Sequence, residues 1–160
     1  MECNTYANQL AEFSWEIRDK SLEILERLPE GFMNWRLNNN TMSFFHIAKH
    51  LVKVDELFLK MLQAGEKSFK WQLGSEEPHY EVEKAEFDEV KERLKSLQKE
   101  RHATIQAMDE NTLNEKVTGE LGEQTNIWWF IMQKLLEHEI YHRGQLSAYL
   151  KILQGEQEQG

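Results

Sequence analysis

The stretch His138-Glu139-Ile140-Tyr141-His142-Arg143-Gly144-Gln145 carries two histidines four residues apart. On a helix that spacing stacks them on one face, about one turn apart, so both imidazoles can reach a single metal ion. His46 and His50 repeat the spacing earlier in the chain. Four of the six histidines fall in these two pairs, so metal ligation is the chemistry the chain displays most clearly. Imidazole suits Zn, Ni, Fe and Cu alike, so ligand type alone does not select the ion.

The positions around His138 and His142 say which way they face. Ile131, Leu135, His138, His142, Gln145, Tyr149 and Ile152 share one helical stripe that is otherwise apolar. The stripe predicts an inward pair, and buried imidazoles need partners. A lone inward histidine is usually a hydrogen-bonded core residue. Two such pairs on separate helices match metal-ligand type and spacing better. For the third ligand, His50 sits among Ile47, Leu51 and Val54, while His46 lies nearer the helix start beside Phe44 and Phe45. His50 is the favoured ligand. His46 stands as a fourth ligand, a group bonded to a ligand, or a rim residue. Three histidines with water or substrate would make an open, catalytic type of site.

Glu139 brings a competing reading. His138-Glu139-Ile140-Tyr141-His142 satisfies H-E-x-x-H, in which the glutamate activates water for a zinc protease. No strand-rich region precedes it to hold a peptide, and the chain after His142 is short. On a regular helix Glu139 falls about 100° from His138, partly outward. A flanking carboxylate that orients an imidazole is the plainer role. Glu139 and His46 are the candidate catalytic side chains.

The elements that must position these residues read as four main helices. The first is expected from about Thr5 to Leu28, stopped by Pro29-Glu30-Gly31. The loop Asn38-Asn39-Asn40-Thr41 ends in a capping residue, and the second helix runs from about Met42 to Ala64 before Gly65. A polar loop holds Gly74-Ser75-Glu76-Glu77-Pro78, and the third helix spans about Val82 to Met108. Val117 to Glu123 reads as a tight turn or tiny hairpin. Thr125 is the expected cap of the fourth helix, which runs to about Leu153 before Gly155. The connections, each about a dozen residues, are longer than the roughly 2–8 usual in bundles. They leave room for crossovers and for the mouth of a site.

Composition bounds the rest. At 160 residues with 40% apolar content, the expectation is one domain, 1–160, with a proper core. A formal charge of −9 argues against nucleic acid, which needs clustered Lys and Arg. No apolar run is long enough to span a membrane. The start, Met1-Glu2-Cys3-Asn4, has no basic or apolar leader character. The lone Cys3 is a terminal residue rather than a catalytic thiol. These features predict a soluble cytoplasmic protein.

The segment His138-Glu139-Ile140-Tyr141-His142-Arg143-Gly144-Gln145-Leu146 resembles the DinB-like (DinB/YfiT) family of small bacterial metalloproteins. His50-Leu51, in a helix after a polar loop, is similar too, as is the turn from Gly119 to Gly122 leading to Thr125. The resemblance covers nearly the whole chain. It implies an all-α four-helix bundle with a divalent metal held by His50, His138 and His142, often in a homodimer. The pattern does not require His46. Some relatives are transferases of low-molecular-weight thiols such as bacillithiol or mycothiol, in which the metal lowers the thiol pKa. The expectation is therefore a metal-dependent thiol transferase or a related hydrolase. The other reading is a non-catalytic metal-binding bundle, acting as a stress-related sensor or dimerising module. An open metal position facing a cavity marks the first, and closure by His46 marks the second.

Three smaller expectations remain. Arg143 pairs with an acid such as Asp55 or Glu139, or binds a carboxylate of a thiol cofactor. Gly144 lets a neighbouring helix approach. Trp35, Trp71, Trp128 and Trp129, near element ends, are candidate pocket walls, with core packing the plainer role.

Overall fold

Long runs of Glu, Lys, Leu and Ala with apolar residues three and four apart favour helix over strand. The computed structural model describes residues 5–69 and 77–159. It places four long helices where that periodicity puts them. They are α1 (Thr5–Glu26), α2 (Phe44–Ala64), α3 (Lys84–Gln106) and a final helix over residues 127–159. That final helix opens with α5 (Ile127–Phe130), widens to a π-helical stretch (Ile131–Glu137), and continues as α6 (His138–Gln159). α3 packs against α1 and α2, and α6 packs against α1 and, more lightly, α2. The order around the bundle is therefore α1, α3, α2, α6, which requires the long connections to cross an end of the bundle. Among the described residues, no helix is long and apolar enough to cross a membrane.

The element ends differ from expectation in instructive ways. Ser43, not Thr41, caps α2, its side chain accepting from the His46 backbone N–H. Gly65 closes α2 in the left-handed region at φ +66, which glycine tolerates without a Cβ clash. A short α4 (Glu110–Leu113), capped by Asp109, precedes the hairpin. The hairpin itself pairs β1 (Lys116–Thr118) with β2 (Gln124–Asn126) in antiparallel register, Val117 opposite Thr125. Thr125 is thus a strand residue, and Asn126 caps the final helix by accepting from the Trp129 N–H at 2.8 Å. That helix continues past Gly155 to Gln159, because a glycine within a helix weakens it without ending it. The polar loop from Gly74 lies outside the described residues up to Glu76.

The buried side chains form two apolar clusters. One gathers Leu10, Ile17, Phe58, Leu97, Ile105, Phe130 and Leu135. The other gathers Leu22, Leu25, Phe44, Ile47, Leu51, Leu94, Leu146 and Leu150. Along α1, Arg18 follows Ile17 of the first cluster and precedes Leu22 of the second. Along α2, Asp55 falls between Leu51 and Phe58, and in the final helix Glu139 falls between Leu136 and Leu146. A charged layer therefore divides the core, and it lies beside the histidines.

Candidate metal centre

α2 and α6 face one another, and each presents histidines to the gap. Ser43 starts α2 so that His50 lies two turns in, turned toward α6. His138 opens α6 and His142 follows one turn later. His50 Nε2 stands 3.0 Å from His138 Nε2, and His142 Nε2 stands 3.1 Å from the same atom. The candidate ligand nitrogens of all three lie within 4.8 Å of one another. Of the sequence candidates, the structure thus brings His50, His138 and His142 together.

The donor set fits a divalent ion. Two nitrogens each about 2.0–2.1 Å from a shared ion stand roughly 3 Å apart when they meet near a right angle. Burial lowers the pKa of His50 to about 4, with the neighbouring His142, His138 and Lys53 adding to the effect. Burial, then His142, lowers His138 to about 4 as well. His142 is also lowered by burial, against the opposing pull of Gln145 and Glu139. All three are neutral at pH 7, so their lone pairs are free to ligate. Three neutral imidazole nitrogens crowded at one point are relieved by a cation between them. Gln145 Oε1 lies 2.7 Å from His142 Nδ1. An amide oxygen only accepts, so Nδ1 donates and Nε2 keeps its lone pair toward the cluster. His138 Nδ1 is buried without a hydrogen-bond partner among the described residues.

His46 does not join the cluster. Its Nδ1 lies 2.8 Å from Ser43 Oγ, its ring packs edge-on to Tyr80 at 4.7 Å, and His79 lies 5.4 Å away. It lines the same cleft as His50 and His142 without reaching the point where the three Nε2 atoms meet. Burial, then the charges of His79 and Lys49, lowers its pKa.

Glu139 overturns the expectation of a partly outward side chain. It is 1% exposed and sits at the centre of the charged layer. Arg18 donates to it from Nε and Nη2, Arg101 from Nη1 at 2.8 Å, and Ser21 Oγ at 3.1 Å. Asp55 accepts from the same two guanidinium groups, from Arg18 Nη2 at 2.7 Å and Arg101 Nη1 at 3.1 Å. Each long helix contributes one member: Arg18 from α1, Asp55 from α2, Arg101 from α3, Glu139 from α6. Burial alone would raise the Glu139 carboxyl. The charges and hydrogen bonds of Arg18 and Arg101 together outweigh it and hold the group well below the usual carboxylate range. A carboxylate held by two guanidinium groups cannot accept a proton as a protease base would.

The π-helical stretch explains the turn inward. Ile127, Ile131, Leu135 and Glu139 follow at intervals of four and all are buried. In a regular helix each such step drifts about 40° around the axis. The wider i→i+5 turn cancels the drift and keeps the line facing the core. Glu139 then points into the bundle while His138 tilts toward α2. Sequence reasoning missed Arg18, Asp55 and Arg101 as partners. Arg101 and Asp55 lie four residues from inward apolar positions on both sides, in Leu97, Arg101, Ile105 and in Leu51, Asp55, Leu59, and Arg18 lies four before Leu22; that spacing is the signal.

The remaining expectations resolve as follows. Arg143 makes no ion pair among the described residues, and Asp55 and Glu139 are held by Arg18 and Arg101. A Cβ at Gly144 would meet nothing within 4 Å, so no helix closes on it. Trp35 packs on Phe44 and Tyr149, Trp128 packs against the core, and Trp129 is half exposed. None of these three walls the cleft. Trp71 and Cys3 lie outside the described residues. The cleft over the histidines has a volume of about 510 Å³, within the roughly 300–1,000 Å³ of small-molecule sites.

Comparison with known proteins agrees with this architecture. Residues 16–146 match the sequence profile of the DinB superfamily. The crystal structure of a DinB-like protein from Bacillus subtilis, YjoA, is similar at a TM-score of 0.67 and 17% identity, over 91% of each chain. At that identity the likeness speaks for the fold. No curated protein matches the chain.

Proposed function

The chain belongs to the DinB superfamily, and from that premise we propose that it is a metal-dependent enzyme acting on a small molecule. The reaction is transfer of a low-molecular-weight thiol to an electrophile, or hydrolysis at the same site. One observation carries this reading. The Nε2 atoms of His50, His138 and His142 meet at a cleft, and no fourth His, Cys, Asp or Glu joins them among the described residues. A closed, non-catalytic site calls for a fourth protein ligand. His46, the fourth ligand the sequence offers, places its Nδ1 against Ser43 instead.

In this reading His50, His138 and His142 hold the ion, with Gln145 keeping the His142 ring in its ligating tautomer. Held by these three residues, a divalent ion would supply Lewis acidity, the property that makes a thiol or water nucleophilic near neutral pH. The sulfur–carbon bond forms as the leaving group departs with its electron pair, and the thiol proton passes to solvent. The Arg18–Asp55–Arg101–Glu139 layer does not touch substrate. It ties α6 to the other three helices and so fixes the histidines in place.

Elemental analysis of the purified protein tests the site. We expect close to one Zn, Ni or Fe per chain, and loss of most of it in His142→Ala. Equal stoichiometry and affinity in that variant would refute the ligand assignment. Incubating metal-loaded protein with thiols and electrophilic acceptors, and following loss of free thiol, tests the chemistry. Full metal occupancy with no metal-dependent turnover would favour the non-catalytic bundle.

A further inference from the structure

The protein carries a net charge of −9, yet the cleft above the three histidines is lined by Arg36, Lys49 and Lys53 against a single carboxylate, Glu77, among the described residues. Glu77 is already taken. Lys49 Nζ lies 2.8 Å from its Oε2 and 2.6 Å from the Tyr80 hydroxyl. The other two cations make no close ion pair among the described residues, although Glu77 feels the charge of Lys53. Arg36 makes one long contact, 3.4 Å to the Asn39 carbonyl, and Lys53 makes no ion pair among the described residues. Elsewhere on this surface some cations are paired, such as Lys84 with Asp88, Arg93 with Glu56 and Lys95 with Glu92, and others, such as Arg143, make no ion pair among the described residues. In a chain with an excess of acids, two cations without an ion pair among the described residues, in the cleft that reaches the histidines, make a local field opposite to that of the whole molecule. Such a cleft concentrates anions.

We infer that the cleft binds a small anionic molecule, its carboxylate or phosphate group held by Arg36 and Lys53 and its other end toward the histidine cluster. The inference rests on the reading of that cluster as the reactive centre and adds the substrate class. Arg36 comes from the α1–α2 connection and offers a planar fork that can grip two oxygens of either group. Lys53 lies one turn after His50 on the same helix, so its ammonium and the His50 ring face the same space. The arginine adjoining the histidine motif, Arg143, does not line the cleft, so the anion-binding role moves from Arg143 to Arg36 and Lys53.

Calorimetric titration at low ionic strength tests this with succinate, inorganic phosphate and the neutral analogue succinamide, on metal-loaded and metal-free full-length protein. We expect saturable one-to-one binding of succinate or phosphate, weakened by added salt, and none of succinamide. Which of the two anions binds more tightly distinguishes a carboxylate from a phosphate ligand. Arg36→Gln and Lys53→Gln should each weaken binding about threefold to tenfold, the range of a partly exposed charge contact. Metal content should stay at the wild-type level, because neither residue is a ligand. Lys53→Glu should weaken it further. Equal binding of succinamide, or unchanged anion affinity in both glutamine variants, would overturn the inference. The two readings fail separately. Wild-type metal content with no anion binding refutes the anion site alone. Anion binding lost in Arg36→Gln, in a protein that takes up no metal, refutes the metal site alone.

Discussion

Gln145 decides which nitrogen of His142 is available. By accepting from Nδ1 at 2.7 Å it leaves Nε2 deprotonated and aimed at His138. Partners of this kind are typically worth 10–100-fold in metal affinity. Gln145→Leu keeps the size and removes the acceptor, so its affinity should fall by about that factor in a competition with a chromogenic chelator. An affinity equal to wild type would mean that the hydrogen bond does not set the tautomer. At this scale the i, i+4 spacing of His138 and His142 was enough to put both imidazoles on one face, where their Nε2 atoms stand 3.1 Å apart. The place of His46 was not readable, because it depends on Ser43 turning one imidazole nitrogen back to the helix start. Glu139 was misread for a different reason. Its direction depends on the pitch of the helix that carries it, and the pitch is not uniform.

That pitch belongs to the element scale. The π-helical stretch Ile131–Glu137 lets residues at intervals of four share the inward line, and so decides that Glu139 enters the core while His138 turns to His50. Such stretches are rare, and nothing in a run of good helix formers announces one. α2 is set at its other end by a cap. Ser43 Oγ accepts from the His46 N–H at 3.1 Å. Ser43→Ala should cost about 1 kcal/mol, a fall of roughly 2–4 °C in the melting temperature of a chain this size. Metal stoichiometry should be unchanged, since His50 lies further along the helix. A larger loss accompanied by loss of metal would show that the cap positions the site as well as the helix. The second strand of the hairpin ends at Asn126, and that residue rather than Thr125 starts the final helix.

Across the whole molecule, the charged layer joins all four long helices between two apolar clusters. Two guanidinium groups face two carboxylates, and donors on Ser21 and acceptors on Ser14 and Leu94 meet the remaining demand. Removing one partner from such a buried set leaves the others uncompensated, at a cost of about 3–5 kcal/mol. Glu139→Gln should show that loss in chemical denaturation. A stable Glu139→Gln protein that lost activity alone would instead restore Glu139 to the chemistry. The histidines give the metal-free protein a second global property. An unfolded histidine titrates near 6.5, whereas His50 and His138 are held to about 4 and His142 is lowered. The unfolded chain therefore binds more protons between these values, and stability falls as pH drops from about 6.5 toward 4. Below the ordinary glutamate value of 4.5 the depressed Glu139 adds to the loss in the same direction. Thermal melts of metal-free protein from pH 7.5 to 4.5 should show a steady decline, shallower in His50→Gln. A flat profile would mean that the three imidazoles are not desolvated in the folded state.

The sequence by itself determined the helices, the hairpin, the inward histidine pair and, through the run from His138 to Leu146, the kind of bundle. These follow from local propensity and periodicity, which act over a few turns of chain. Only the tertiary structure decided the cap residues, the charged partners of Glu139, the isolation of His46 and the cations over the cleft. Arg18 and Glu139 are 121 residues apart along the chain, and His50 and His138 are 88 apart. Which distant side chains meet is set by how the helices pack and by one change of helical pitch. Local pattern carries neither.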